Sequence, residues 1–305
     1  MDLMELALTD PLQARAGVKL VRAKDELRAA LAAARSAGRS IGLVPTMGCL
    51  HEGHLSLLRA ARAECDVVVV SLFVNPAQFG PDEDLERYPR DEARDVELAA
   101  GVGADLVYAP PVAGVYPEGF ATHVVVEGLT EVLCGDPERR GPEHFRGVTT
   151  VVAKLFNTVQ PDVAYFGQKD AQQLTAIRRM ARDLDFAVRI EALPIVREAD
   201  GLAMSSRNAY LTPADRERAS ALQRALGAVE DAARSGAPLA DALDAGRGEL
   251  AAAGIEPEYL EARDPDDLLP AVELGERPVL VAVAAQVGAA RLIDNVVIQP
   301  RTSKA

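Results

Sequence analysis

An α/β chain built on a doubly wound, mostly parallel sheet is the fold class predicted by three observations. Short apolar runs alternate with helix-periodic stretches over the first two thirds of the sequence, some runs are apolar at every position, as in Val67-Val68-Val69-Val70, and polar segments follow several runs directly. A strand that is apolar at every position is buried on both faces, so helices must cover both sides of its sheet. The strands are expected at residues 18–21, 40–44, 67–74, 106–109, 163–166 and 187–192, with helices at 23–37, 55–64, 90–100, 148–159 and 171–184. This alternation predicts a Rossmann-like layout, in which ligands lie beyond the carboxyl ends of the strands.

The pattern changes after Pro194. A polar loop over residues 197–208 precedes two Ala-rich helices at 213–234 and 239–253, followed by short strands at 258–262, 279–283 and 291–298. The chain therefore divides into a Rossmann-like domain over residues 1–194 and a smaller α+β C-terminal domain over 195–305. No heptad is sustained through the Ala-rich region, so a coiled coil is not needed to explain it.

Composition excludes several function classes. The 305 residues carry a formal net charge of −13, which opposes a nucleic-acid-binding surface because such binding rests on Lys and Arg neutralising phosphates. An anion site must then be a local positive pocket in a negative field. Met1 to Asp10 show neither a basic start nor an apolar core of signal-peptide length, and no run of 18 apolar residues occurs anywhere, so neither secretion nor a membrane span is expected. Three separated cysteines, Cys49, Cys65 and Cys134, without a CxxC pair suit reduced thiols in the cytoplasm.

Chemistry concentrates in three segments. Pro45-Thr46-Met47-Gly48-Cys49-Leu50-His51-Glu52-Gly53-His54 follows an apolar run and leads into an amphipathic stretch, which places two imidazoles at a helix N-terminus. Unpaired backbone N–H groups and the helix dipole favour a phosphate there. As metal ligands His51 and His54 would need a third partner, and only His123 and His144 remain in the chain. As phosphate contacts they need only donate N–H bonds. The second segment is Phe166-Gly167-Gln168-Lys169-Asp170-Ala171-Gln172-Gln173, where Lys169 can meet a phosphate and Asp170 can cap the helix or hold Mg²⁺ through water. Gln172 reads as ordinary surface polarity. The third is Ala203-Met204-Ser205-Ser206-Arg207-Asn208, whose hydroxyls and guanidinium suit a triphosphate or departing pyrophosphate. Two flanking segments, residues 81–89 and 136–146, are candidate lids, the second carrying Arg139, Arg140 and Arg146.

His51-x-Gly53-His54 with Met204-Ser205-Ser206-Arg207 resembles the two signature motifs of the HIGH/KMSKS nucleotidyltransferase superfamily. Within it, the chain resembles the pantoate–β-alanine ligases. The match includes Phe73-Val74-Asn75-Pro76-x-Gln78-Phe79, His144-Phe145-x-Gly147-Val148 and Arg197-Glu198-x-Asp200-Gly201-Leu202 besides the segments above, and it spans nearly the whole sequence. The resemblance implies ATP as co-substrate, Mg²⁺, pantoate and β-alanine as the other substrates, a pantoyl-adenylate intermediate, and a homodimer. It places ATP on Pro45 to His54, on Gly167 to Asp170, on Val196 and on Met204 to Arg207. Gln78, Gln173, Asn75 and Met47 fall at substrate-binding positions. His54, His51, Lys169, Arg207, Ser205 and Ser206 become the candidates for chemistry, with His54 matching the usual proton donor. Cys49 and Gln168 depart from the residues common at their positions.

Overall fold

The computed structural model describes residues 17–81 and 83–300. The first ten residues, read above for a signal sequence, lie outside it. Six strands, β1 (Lys19–Val21), β2 (Ile41–Thr46), β3 (Val67–Leu72), β4 (Leu106–Tyr108), β5 (Val163–Gly167) and β6 (Arg189–Leu193), form a parallel sheet in the order β1-β4-β3-β2-β5-β6. The chain winds outward from β2 through β3 to β4, then returns to lay β5 on the other side of β2. That reversal opens a crevice between β2 and β5 at their carboxyl ends, where the connecting segments diverge. The register Gly42↔Val163 and Leu43↔Ala164 fixes the two strands that border it.

Alternation along each strand divides the core into two layers. Ile41, Leu43, Val67 and Val69 pack toward helices α1 (Lys24–Ser36) and α5 (Pro142–Val159), whereas Val44, Val68 and Val70 pack toward α2 (Glu52–Glu64) and α3 (Glu92–Gly101). Each buried Val contributes about 1.5–3 kcal/mol by leaving water, so a run of four such residues commits the strand to the sheet centre. Helix α6 (Ala171–Asp183) follows β5, and a single turn, α4 (Val112–Val115), which the sequence pattern did not suggest, follows β4.

Several boundaries differ from expectation. Pro45 and Thr46 belong to β2 rather than to the loop after it, because they pair with Ser71 and Leu72 of β3. α5 begins at Pro142 instead of 148, so part of the candidate lid at 136–146 is helix. The expected 213–234 helix is two, α7 (Pro213–Ala219) and α8 (Ala221–Ser235). They part at Ser220, whose hydroxyl donates to the Glu217 carbonyl in competition with the helix ladder.

After β6, α8 and α9 (Leu239–Ala252) pack on an antiparallel sheet of β7 (Pro257–Arg263), β8 (Val279–Val287) and β9 (Ala290–Ile298) in the order β7-β8-β9. Leu222, Leu226, Val229, Leu250, Val281 and Val283 form its separate core. This smaller α+β unit stands over the crevice of the large sheet.

Candidate active site

A cavity lies at the β2/β5 crevice, and residues following β2, β3, β5 and β6 converge on it. Its polar lining includes His51, His54, Lys169, Asp170, Ser205, Ser206 and Arg207. Its apolar lining comes from Phe73, Phe166 and the α5 residues Val148, Val151, Val152 and Leu155, and the amides of Gln78 and Gln173 line it too.

The histidine turn is held together from within. Thr46 Oγ1 donates to Ser71 O at 2.7 Å and accepts from Gly48 N–H at 3.1 Å. Cys49 then adopts a left-handed conformation with φ 51°, a strain of order ~1 kcal/mol for a non-glycine residue. What holds it there is Asp95 of α3. Its buried carboxylate accepts Cys49 N–H at 2.7 Å and Leu50 N–H at 2.6 Å. Burial raises the pKa of this carboxyl, while the two N–H donors pull it back.

His51 caps α2, with Nδ1 accepting from Gly53 N–H at 3.2 Å, and His54 Nδ1 accepts from His51 N–H at 3.4 Å. Both Nδ1 atoms being acceptors, each ring carries its proton on Nε2. The rings stack at 4.1 Å between centroids. Glycine is required between them, since a Cβ on Gly53 would stand 2.9 Å from His51 Cε1. Burial, then the charge of Lys169, lowers the His51 pKa to about 4. Burial, then His51 and Lys169, lowers that of His54 to about 3. These are neutral N–H donors at physiological pH.

That wiring corrects the expectation of open backbone donors. The N–H groups of Gly48, Cys49, Leu50, His51 and Gly53 already have acceptors within the protein, so an arriving phosphate meets imidazole N–H rather than a bare helix end. Leu50 is fully buried, the Glu52 side chain turns to Arg59, and Gln168 turns to Asn295. With Gly48 and Cys49, they were expected on ATP and do not line the cavity.

Lys169 stands on a 3-10 turn between β5 and α6, largely covered, with Nζ 3.9 Å from Asp170 Oδ1. The Ser-Ser-Arg turn approaches from the β6 side. Met204 N–H donates to Val196 O at 3.0 Å, Ser205 Oγ accepts from Arg207 N–H at 3.2 Å, and Ser206 Oγ donates to Cys49 O at 3.4 Å. The last bond joins this turn to the histidine turn. Arg207 makes a bidentate pair with Asp84 at 3.1 and 2.9 Å and lies over the Tyr88 ring. Burial opposes its charge, but the Asp84 carboxylate more than compensates and raises its pKa. Glu83 likewise pairs with Arg140. The acidic segment after β3 is therefore tied across the mouth of the cavity at both carboxylates.

Gln78 is oriented by its neighbours. Asn75, 1% exposed, donates from Nδ2 to Gln78 Oε1 at 3.0 Å and to Gly147 O at 3.1 Å, while its Oδ1 accepts from Tyr116 OH at 2.7 Å. The Gln78 amide NH₂ is left for a ligand. Asn75, expected at a substrate-binding position, lines the cavity, and its amide, engaged in this network, orients Gln78. α5 approaches so closely that a Cβ on Gly147 would sit 2.2 Å from Ala77 O. His144 Nδ1 donates to Gln78 O at 2.7 Å, and burial followed by Arg140 lowers its pKa to about 3.

Gln172 is not at the surface. Only 6% exposed, it accepts from Cys134 N–H and donates to Leu129 O and Val132 O, fastening the 129–134 segment to α6. Asp84, Tyr88 and Arg140 belong to the two segments expected as lids, and Tyr88 and Arg140 line the cavity; Asp95 was not foreseen. Arg140 and His144 carried a signal in their i, i+4 spacing, but nothing local marks Asp95 as the partner of a turn 45 positions earlier.

No group of three or more His, Cys, Asp or Glu side chains able to hold a metal occurs among the described residues. His51 and His54 thus lack the third protein ligand that a zinc site would require. No helix among the described residues is long and apolar enough to cross a membrane.

A crevice at the topological switch of a doubly wound sheet, lined by neutral imidazoles, a lysine, an arginine and glutamines, fits a nucleotide-activating α/β enzyme. Residues 19–297 match the family described as Pantoate-beta-alanine ligase. The chain belongs to that family, ligases that form the amide bond between pantoate and β-alanine. A pantothenate synthetase of Moorella thermoacetica is 56% identical over 284 residues, covering 92% of this chain and 99% of that protein. The crystal structure of a pantothenate synthetase from Thermus thermophilus superposes with a TM-score of 0.87 at 49% identity, covering 93% of this chain and 100% of the other. A pantoate-β-alanine ligase of Francisella tularensis, crystallised with β-γ ATP and β-alanine, gives a TM-score of 0.75 at 30% identity over 92% of this chain and 98% of its own.

Proposed function

We propose that the cavity condenses pantoate with β-alanine in two displacements, each centred on the crevice between β2 and β5. In the first, a pantoate carboxylate oxygen attacks the α-phosphorus of ATP, and the bond to the β-phosphate oxygen breaks to release pyrophosphate. In the second, the free amine of β-alanine attacks the acyl carbon of the pantoyl adenylate, the bond from that carbon to the bridging oxygen breaks, AMP leaves with that oxygen, and the proton lost by the amine passes to solvent. The observation that carries this reading is that one cavity is lined together by His51, His54, Lys169 and Arg207, by the amides of Gln78 and Gln173, and by the apolar side chains of Phe73, Phe166 and α5.

Bringing two anions together calls for positioning and fixed positive groups rather than a covalent nucleophile. His51 and His54 donate from Nε2 to phosphate oxygens, His54 to the one on which charge grows. Lys169 and Arg207 face the phosphates, with Ser205 and Ser206 supplying hydroxyls. Met47, Val196 and Met204 flank the nucleotide. The apolar lining receives the gem-dimethyl group of pantoate, and the Gln78 and Gln173 amides hold its hydroxyl and carboxylate oxygens without adding charge.

Asp170 lies beside Lys169 on the cavity wall and is the residue that would hold Mg²⁺, together with phosphate oxygens, as is usual for a cation bound with few protein carboxylates. Bound there, Mg²⁺ neutralises charge on the departing pyrophosphate. By family resemblance, the assembly is a homodimer and works in the cytoplasm; its free cysteines suit that compartment.

Carboxylate-¹⁸O pantoate, turned over with ATP, Mg²⁺ and β-alanine, tests the route. Pantothenate should form together with AMP carrying one ¹⁸O. Formation of ADP, or of unlabelled AMP, would contradict an adenylate.

A further inference from the structure

We propose that Asp294 and Asn295 of β9 are positioning residues that set the separation of the two phosphate-facing turns. Adjacent residues on a strand point to opposite faces, and these two use that divergence to grip two different segments. Asn295 donates from Nδ2 to the carbonyls of both Gln168 and Lys169, each at 2.9 Å. One amide thereby fixes the peptide that carries Lys169. Asp294 accepts both Arg197 Nη1 at 2.6 Å and Nη2 at 3.0 Å. Arg197 is bridged to Ala203 and donates to Gly201 O, which closes the short loop running into Ser205–Arg207.

Both side chains are 3% exposed. Burying a carboxylate and an amide costs desolvation that apolar residues at the same two places would avoid. What the polar pair supplies instead is direction, because each bond has a defined angle and length. β8 holds the strand that presents them, through the pairs Val283↔Asp294 and Ala282↔Asn295. The C-terminal sheet thus acts as a rigid bar across the crevice, holding the lysine turn with one residue and the Ser-Ser-Arg turn with the next.

The consequence for catalysis rests on the proposed two-step reading, in which both turns meet phosphate charge that develops as pyrophosphate departs. Loosened turns would still bind ATP but would stabilise the transition state less, so the loss should appear in kcat rather than KM. A displacement of about 1 Å at such groups can cost ~100-fold.

Two readouts separate the clamp from that reading. In pantoate-dependent exchange of pyrophosphate into ATP, Asn295→Leu should lower kcat about 10- to 100-fold with KM for ATP within about threefold of the wild type. Val281→Ala, a cavity in the core of the same sheet that removes none of the hydrogen bonds to either turn, should lower Tm without changing either constant. Hydrogen exchange without substrates reads the same geometry whatever reaction the enzyme runs. In Asn295→Leu the amides of residues 168–172 should exchange faster, and in Asp294→Asn those of 198–207, while β7 and β8 keep wild-type protection. If Asn295→Leu does not fold, Asn295→Ala removes the donor without adding bulk. Wild-type protection of both segments, or kinetic losses no larger than those of Val281→Ala, would overturn the proposal. Absence of exchange in the wild type would defeat the functional reading alone and leave hydrogen exchange to decide the clamp.

Discussion

The histidine turn and the Ser-Ser-Arg turn face the same cavity but are built on opposite plans. The first follows a central strand, caps its own helix with His51, and needs one outside carboxylate, Asp95. Its functional groups are uncharged at neutral pH. The second opens a 3-10 turn, Ser206–Tyr210, capped by Ser205, and is braced by charged partners outside that turn: Asp84 on Arg207, Glu198 on Asn208, and Asp294 on Arg197. A locally wired turn keeps its geometry whatever occupies the cavity. A turn assembled from ion pairs can exchange a carboxylate for a phosphate, and the Arg207–Asp84 pair is the one a triphosphate would contest.

Lys169→Ala would break this comparison most severely, since Lys169 is the cation acting on both histidines. Adenylate formation should fall about 10²- to 10³-fold, as when one preorganised donor is removed, and single-turnover kinetics would reveal it. If that step were intact and only amide formation slowed, the assignment would be wrong. Gln78→Ala comes next, with kcat/KM for pantoate falling about 10- to 100-fold because buried hydrogen-bonding groups are left unpaired. An unchanged value would remove Gln78 from the substrate wall.

Asp95→Asn tests whether the histidine turn is truly self-contained. An amide can accept only one of the two N–H groups, so the variant should lose about 1–3 kcal/mol of stability and roughly tenfold in adenylate formation. Denaturant unfolding with wild-type rates would show that the turn holds without it.

The last effect is one of pH and leaves the rates at neutral pH untouched. The folded pKa values of His51, His54 and His144 lie near 3 to 4, below the ordinary 6.5, so as pH falls the unfolded chain takes up protons first. Their contribution to stability is complete above about pH 6.5 and is lost as pH drops toward 4, at up to about 1.4 kcal/mol per unit for each histidine. His54→Gln should reduce the acid loss between pH 6.5 and 5 by about 2 kcal/mol. An identical acid slope in the variant would mean that His54 is protonated in the folded state.

What was legible in the sequence had a local cause. The apolar runs gave the six-stranded sheet, and Gly53 between two histidines marked a strand-to-helix turn. Lys169 at a strand end and the Ser205–Arg207 segment were visible as anion-binding chemistry, although only the fold brings them to one cavity. Asp95 and Asn295 were invisible, and so was the pairing of Asp84 with Arg207, because each acts on a segment 45 or more positions away. Gln172 was misread for the same reason: its partners lie in the 129–134 segment, and a glutamine carries no sign of its burial. The helix end expected to be open at His51 is partly closed, because side chains of Thr46, Asp95, His54 and His51 accept the N–H groups of Gly48, Cys49, Leu50, His51 and Gly53.

Pantoate-dependent exchange of labelled pyrophosphate into ATP, with Mg²⁺ and without β-alanine, tests the central claim most directly. The account predicts exchange that requires pantoate and is lost in Lys169→Ala. A folded, ATP-binding enzyme that makes pantothenate yet shows no exchange until β-alanine is added would contradict the two-step route through this cavity.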